Sequence, residues 1–262
     1  MYLDYPGVTF GSTQEANSVG EKSTMDDHTT KAFDHDLREL ESDIAEMGAT
    51  VKQQIESMMS ALEARDASLA HHVILTDAKI DALQNKIEDK AVITIARRQP
   101  MAVDLRQIVG ALRIANDFER MGDLADNIAK RTLLLSDESW PNEIIVKLEH
   151  MVTLVVDQLT RVLDSYARHD AAEALEVWRS DEEVDRLNNS LFRELLTHMM
   201  EDPRNITFCT HLLFCAKNIE RMGDHVTNVA ESVYYIVEGR ALMDERPKAD
   251  LMSVRPASPL RQ

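Results

Sequence analysis

The five residues Glu119-Arg120-Met121-Gly122-Asp123 recur letter for letter as Glu220-Arg221-Met222-Gly223-Asp224, so the chain carries an internal duplication with a period of about 100 residues. An asparagine follows each copy at the same offset, Asn127 and Asn228, extending the motif to Glu-x-x-x-Asp-x-x-x-Asn. Four residues of α-helix turn through about 400° and rise about 6 Å, which puts the two acids of each copy on one face, one turn apart. Carboxylates so placed repel each other unless a cation joins them. A period this long is not that of a solenoid and describes two units of one fold.

Aromatic residues are 5% of the chain, glycine and proline number 8 and 7, and 44% of residues are hydrophobic, a balance that favours helices around an ample core. Hydrophobic steps of three and four predict helices over about 31–65 (Phe33, Leu37, Leu40, Ile44, Met47, Val51, Ile55, Met58, Leu62), 68–98 and 101–135. Pro100 marks the turn between the last two, and Pro141 with its polar neighbours ends the unit. Helices over about 142–168, 170–201 and 203–240 repeat the plan, with Pro203 at the corresponding turn and Gly239 at the final cap. The expected fold is all-α, two tandem three-helix bundles built from six long antiparallel helices, covering 31–138 and 139–242. Residues 1–30 read as a disordered leader, in which Met25-Asp26-Asp27-His28 is a candidate natural start, and 243–262 as a disordered tail.

The net charge of −17 argues against a nucleic-acid or acidic-membrane binder and for cations or basic surfaces as partners. Cys209 and Cys215, six apart on a predicted helix, fit core residues in a reducing cytoplasm. No secretory signal and no apolar run long enough to span a bilayer is expected, so membrane association would go through a partner. No phosphate-cradling glycine loop is present either.

The middle helix of each unit carries its own acidic pair at the same spacing, Asp77 and Asp81, then Asp181 and Asp185. The centre of Asp77/Asp81 lies about 21 residues before Pro100 and that of Glu119/Asp123 about 21 after it; around Pro203 the counts are about 20 and 19. In antiparallel hairpins the pairs are therefore level, about 30 Å from each turn. Asp77, Glu119 and Glu220 also fall within apolar stripes, so these acids face their neighbours. Oxygen-only donors suit hard or borderline ions, Mg²⁺, Mn²⁺, Fe or Zn. The expected metal ligands are Asp77, Asp81, Glu119, Asp123, Asp181, Asp185, Glu220 and Asp224. Gly122 and Gly223 fit either close helix approach or room for a cluster, Arg120 and Arg221 either partners of the acids or surface ion pairs. Asn127 and Asn228 fit either neutral ligands or groups that orient one. Two readings compete: a ferritin-type carboxylate bundle, which needs Glu-x-x-His pairs that none of the nine histidines forms, and a metal-free helical scaffold.

Two three-helix units, each with a middle-helix Asp-x-x-x-Asp and a third-helix Glu-Arg-Met-Gly-Asp, resemble the PhoU family over about residues 31–240. The most specific stretches are Pro100 to Arg106 leading to the first motif, and Lys217-Asn218-Ile219 preceding the second through His225. The resemblance implies a cytoplasmic, non-enzymatic regulator of phosphate homeostasis that sits between a phosphate ABC transporter ATPase and a sensor histidine kinase and represses the starvation response when phosphate is plentiful. It also implies metal clusters on the eight acids and self-association as a dimer. Two departures stand out. The lysine three residues before the third-helix Glu is Asn116 in the first unit but Lys217 in the second, and Asp104-Leu105-Arg106 has no counterpart after Pro203. The two units are therefore expected to differ in metal occupancy or partner contact.

Overall fold

The computed structural model describes residues 18–135, 142–180 and 182–242, with side chains from Phe33 onward. These residues hold helices and no strand: α1 Ser18–Ala64, α2 Ala67–Arg98, α3 Val103–Leu135, α4 Asn142–Arg168, α5 Ala171–Arg179, α6 Glu182–Glu201, a 3₁₀ turn Pro203–Asn205 and α7 Ile206–Glu238. The all-α expectation holds, with two corrections. Helix α1 starts at Ser18, so the backbone of 18–30, assigned to the leader on its polar composition, is helical. The rod expected over 170–201 is broken into α5 and α6. The break is signposted by Ser180-Asp181-Glu182-Glu183, a helix-start run of the Ser-x-x-Glu type that hydrophobic periodicity alone passes over. The remainder of the expected leader, the 136–141 connection and the tail from 243 lie outside the described residues.

The same local chemistry turns the chain after the first helix of each unit. Arg65 and His169 adopt the left-handed region, φ 56° and 52°, and the following residue's N–H reaches back five positions, Asp66 to Ala61 O at 3.0 Å and Asp170 to Ser165 O at 2.9 Å. Each aspartate then caps the next helix, Asp66 accepting from the N–H groups of Ser68 and Leu69 and Asp170 from those of Ala172 and Glu173. One C-cap and one N-cap in adjacent residues make a tight reversal, which is why α1 and α2, and α4 and α5, are antiparallel neighbours.

Ile44, Met47, Val51, Ile55, Met58 and Leu62 of α1 are fully buried, as the stripe predicts. Helices α1, α2 and α3 pack on one another, and α7 is the corresponding centre for α4, α5 and α6. Among the described residues the most extensive packing is α3 against α7, so the motif-bearing helices of the two units form the seam between them, supported by α1 against α4. Glycine permits both approaches: a methyl at Gly110 would run into Ile236, and one at Gly48 into Leu163. Arg106 explains the Asp-Leu-Arg stretch that the second unit lacks. Its guanidinium lies over Gly239, the left-handed cap (φ 73°) that ends α7, where helix carbonyls attract a cation. Cys209 and Cys215 are free thiols buried in the core; burial pushes the Cys215 thiol up to about 12, keeping it protonated.

Candidate metal centre

Helices α2 and α3 are joined by a short turn at Pro100 and lie side by side, which brings the acids of the first unit into one electrostatic neighbourhood. The Asp77 carboxyl is pushed up to about 6, first by burial and then by repulsion from Asp126, Asp81 and Asp123. Glu119 is raised by burial, then by Asp123, with Arg120 opposing and Asp81 and Asp77 adding to it. The four acids expected in this unit thus lie within electrostatic range of one another across two helices.

A fifth acid was not anticipated. Asp126 is 5% exposed, pairs through Oδ2 with Lys130, and leaves Oδ1 buried without a hydrogen bond. Its spacing was legible, three residues after Asp123 and seven after Glu119, positions that share a helix face. Glu119 Oε2 is likewise buried without a hydrogen bond, its ion-pair contact with Arg120 Nε being 3.4 Å. Gly122 supplies the room: a Cβ there would lie 3.1 Å from Ile80 Cδ1, 3.3 Å from Gln54 Oε1 and 3.4 Å from Asp77 Oδ1. Of the two readings of this glycine, close approach of α2 is the one these distances show.

In the second unit Asp185 and Glu220 are 4% and 5% exposed and Asp224 is half-buried. Glu220 is raised by burial, opposed by Lys217, and raised further by Asp224 and Asp185, so these three acids are also electrostatic neighbours. Lys217 Nζ stands 2.7 Å from Glu220 Oε2, an ion pair whose alignment falls short of a hydrogen bond. Asp181 lies outside the described residues.

Other expected neighbours sort themselves out. Arg120 contacts the acids of its own turn, Nη1 lying 3.3 Å from Asp123 Oδ2, whereas Arg221 is exposed. Asn228 donates to Asp117 Oδ1 across the α3–α7 seam at 3.2 Å, beside His225 Nδ1 at 2.9 Å, and Asn127 is exposed. Asn228 is thus committed to the seam, a role that the motif's repetition disguised. Among the described residues no three His, Cys, Asp or Glu side chains converge on a point that would hold an ion. Asp81, at the outer side, is exposed. What the site presents is an open arrangement of oxygens, with buried unpartnered ones at Glu119, Asp126 and Gln54. Carboxylate and amide oxygens are the donor type that hard cations take.

Two fused helical units, each with acids on its facing α2–α3 or α6–α7 helices, define an acid-lined helical-bundle protein. The PhoU domain model matches residues 44–132 and again 148–233, once for each unit. The chain is 50% identical over 226 residues to the phosphate-specific transport system accessory protein PhoU homolog of Rhizobium meliloti (strain 1021), covering 86% of this chain and 95% of that one. It is 46% identical over 229 residues to the homolog of Caulobacter vibrioides, covering 87% of this chain and all of that one. The crystal structure of PhoU from Pseudomonas aeruginosa superposes with a TM-score of 0.76 at 36% identity, over 79% of this chain and 100% of that chain. This chain belongs to the PhoU family.

Proposed function

We propose that this chain is a cytoplasmic, metal-binding regulator of phosphate homeostasis that couples a phosphate ABC transporter to a sensor histidine kinase and holds the starvation response off when phosphate is plentiful. The observation that carries the regulatory reading is likeness over almost the whole length of relatives named as accessory proteins of phosphate transport. No described helix is long and apolar enough to cross a membrane, which fits a protein that meets the transporter through its partner subunits. The acids act as ligands, not as catalysts, and the chain works by binding as a dimer.

The metal reading rests on the oxygen nests. A cation held by Asp77, Glu119, Asp123 and Asp126 would offset the repulsion that raises Asp77 and would draw the exposed carboxylate of Asp81 inward. The resulting cross-links would tie α2 to α3 and, through Asp185, Glu220 and Asp224 with the expected Asp181, the corresponding helices of the second unit. A metal-free scaffold leaves the buried unpartnered oxygens of Glu119 and Asp126 without a purpose.

Two experiments test the two halves. Elemental analysis of the full chain after exposure to Mn²⁺ or Fe²⁺ is expected to find bound ions, and Asp123→Ala with Asp224→Ala should lower their number while circular dichroism stays helical. Equal stoichiometry in the double variant would remove these acids from the ligand set. Deleting the gene is expected to switch on a phosphate-starvation reporter in phosphate-rich medium, and a silent reporter would remove the signalling role.

A further inference from the structure

The first nest is approached from its third side by a buried glutamine of α1, and the second unit carries the equivalent buried glutamine on α4. Gln54 on α1 is 2% exposed and Gln158 on α4 is 4% exposed. They stand 104 positions apart, the same step that separates Asp77 from Asp181 and Asp81 from Asp185, so they are the same residue of the repeat. Each breaks an apolar stripe, Gln54 between Val51 and Met58 and Gln158 between Val155 and Val162. A polar group in such a position is costly unless something uses it.

The amide nitrogens are used. Gln54 Nε2 donates to the backbone carbonyl of Val73, one turn before Asp77, at 3.3 Å. Gln158 Nε2 donates to Ser180 O and Oγ, both at 3.1 Å, immediately before Asp181. Of an amide's two ends only the NH₂ can donate to a carbonyl, so these bonds fix which end of each amide is oxygen. Both oxygens, Gln54 Oε1 and Gln158 Oε1, are then buried without a hydrogen-bond partner. Gln54 Oε1 borders the space above Gly122 together with Asp77 Oδ1, the two lying 3.3 and 3.4 Å from where a Cβ would stand. If the glutamines served only to tether the first helix to the second, the tether would be complete at the nitrogen, and an apolar side chain would avoid the stranded oxygen.

We propose that Gln54 and Gln158 supply a neutral oxygen from the first helix to the carboxylate nest of their unit, completing a three-helix ligand set for a hard divalent cation. The inference rests on the metal reading above and adds to it a ligand from a third helix. Such an ion cross-links all three helices of a unit, not two. An amide carbonyl adds a donor without adding to the negative charge already crowded there.

The test is Mn²⁺ binding to the full chain by equilibrium dialysis, with free Mn²⁺ counted by electron paramagnetic resonance. Gln54→Met keeps length and burial but removes the oxygen, and is expected to weaken one class of sites about tenfold, the scale of losing one supporting ligand. Gln158→Met should weaken the other class, and gives an independent reading should Gln54→Met not fold. Gln54→Glu, which restores an oxygen, should bind Mn²⁺ at least as well as wild type. If both methionine variants bind like wild type while Asp123→Ala is weakened, the glutamines are tethers only: this inference falls and the metal reading stands. If wild type takes up no Mn²⁺, both fall together.

Discussion

The Asp77 carboxyl stands at the centre of the first nest and titrates far from its ordinary value of 3.8, at about 6, because burial and then Asp126, Asp81 and Asp123 disfavour its charge. An acid whose pKa is higher in the folded than in the unfolded state holds its proton more tightly when folded. The folded protein therefore gains stability as pH falls from about 6 toward about 4, and carries a constant repulsion above that window. Glu119 and Glu220, also raised, act in the same direction. In chelator, thermal melts are expected to show a higher Tm at about pH 5 than at about pH 7, and Asp77→Asn, which mimics the neutral acid, should raise Tm at the higher pH and shrink the difference. Added Mn²⁺ should reverse the order, since metal and proton compete for the same oxygens. A Tm that falls on acidification in chelator, with no response to Asp77→Asn, would show that the acids do not repel. The duplicated motif and the count from each proline were enough to put Asp77, Asp81, Glu119 and Asp123 in one electrostatic neighbourhood, because a helix converts spacing into direction. Asp126 was missed for a different reason: it has no repeat partner, Thr227 standing in its place, and a search led by duplication discards it. Gln54 was missed because an uncharged residue inside an apolar stripe reads as a tolerated exception until its unpartnered oxygen is seen.

Helix ends proved as informative as helix faces. The rods expected over 68–98, 101–135 and 142–168 were placed within two residues at both ends by periodicity and proline, since a long amphipathic stripe has little alternative. The break between α5 and α6 obeys a local cap signal that periodicity does not report. The cap of α7 binds the units together. Gly239 has φ 73° and sits under the Arg106 guanidinium, whose carbon would be 3.0 Å from a Cβ there. Gly239→Ala meets both a left-handed backbone penalty, about 1–2 kcal/mol, and displacement of Arg106. Chemical denaturation should therefore show a loss of at least that size, whereas Gly→Ala at an unstrained exposed helix site would be stabilising. A neutral Gly239→Ala would mean that Arg106 and the cap are independent. The sequence marked Asp104-Leu105-Arg106 as peculiar to the first unit, but its reason is tertiary: the molecule has one α7 terminus for an arginine to cover.

At the scale of the whole molecule the duplication is inexact where it matters most. The first nest gathers five acids, Asp77, Asp81, Glu119, Asp123 and Asp126, with Lys130 on Asp126 and Arg120 beside Glu119. The second has the acids Asp185, Glu220 and Asp224 and the expected Asp181, with Lys217 set on Glu220 at 2.7 Å. The equivalent of Lys217 in the first unit is Asn116, so Glu119 lacks the lysine that partly neutralises its counterpart. A cation entering the second nest would compete with an ammonium group paired to Glu220, whereas in the first nest Lys130 sits on Asp126 Oδ2 and leaves Oδ1 open. The α3–α7 seam makes the two nests parts of one body, so their fillings are read in a single titration. Mn²⁺ titration of the wild type is expected to show two steps, the first belonging to the unit of Asp123 and the second to that of Asp224, identified by which step Asp123→Ala or Asp224→Ala removes. Lys217→Asn, which copies the first unit into the second, should draw the steps together by strengthening the weaker one. Asn116→Lys should weaken the first step. A single step in wild type, unmoved by Lys217→Asn, would mean that the lysine swings clear at no cost and that the two units take up metal alike.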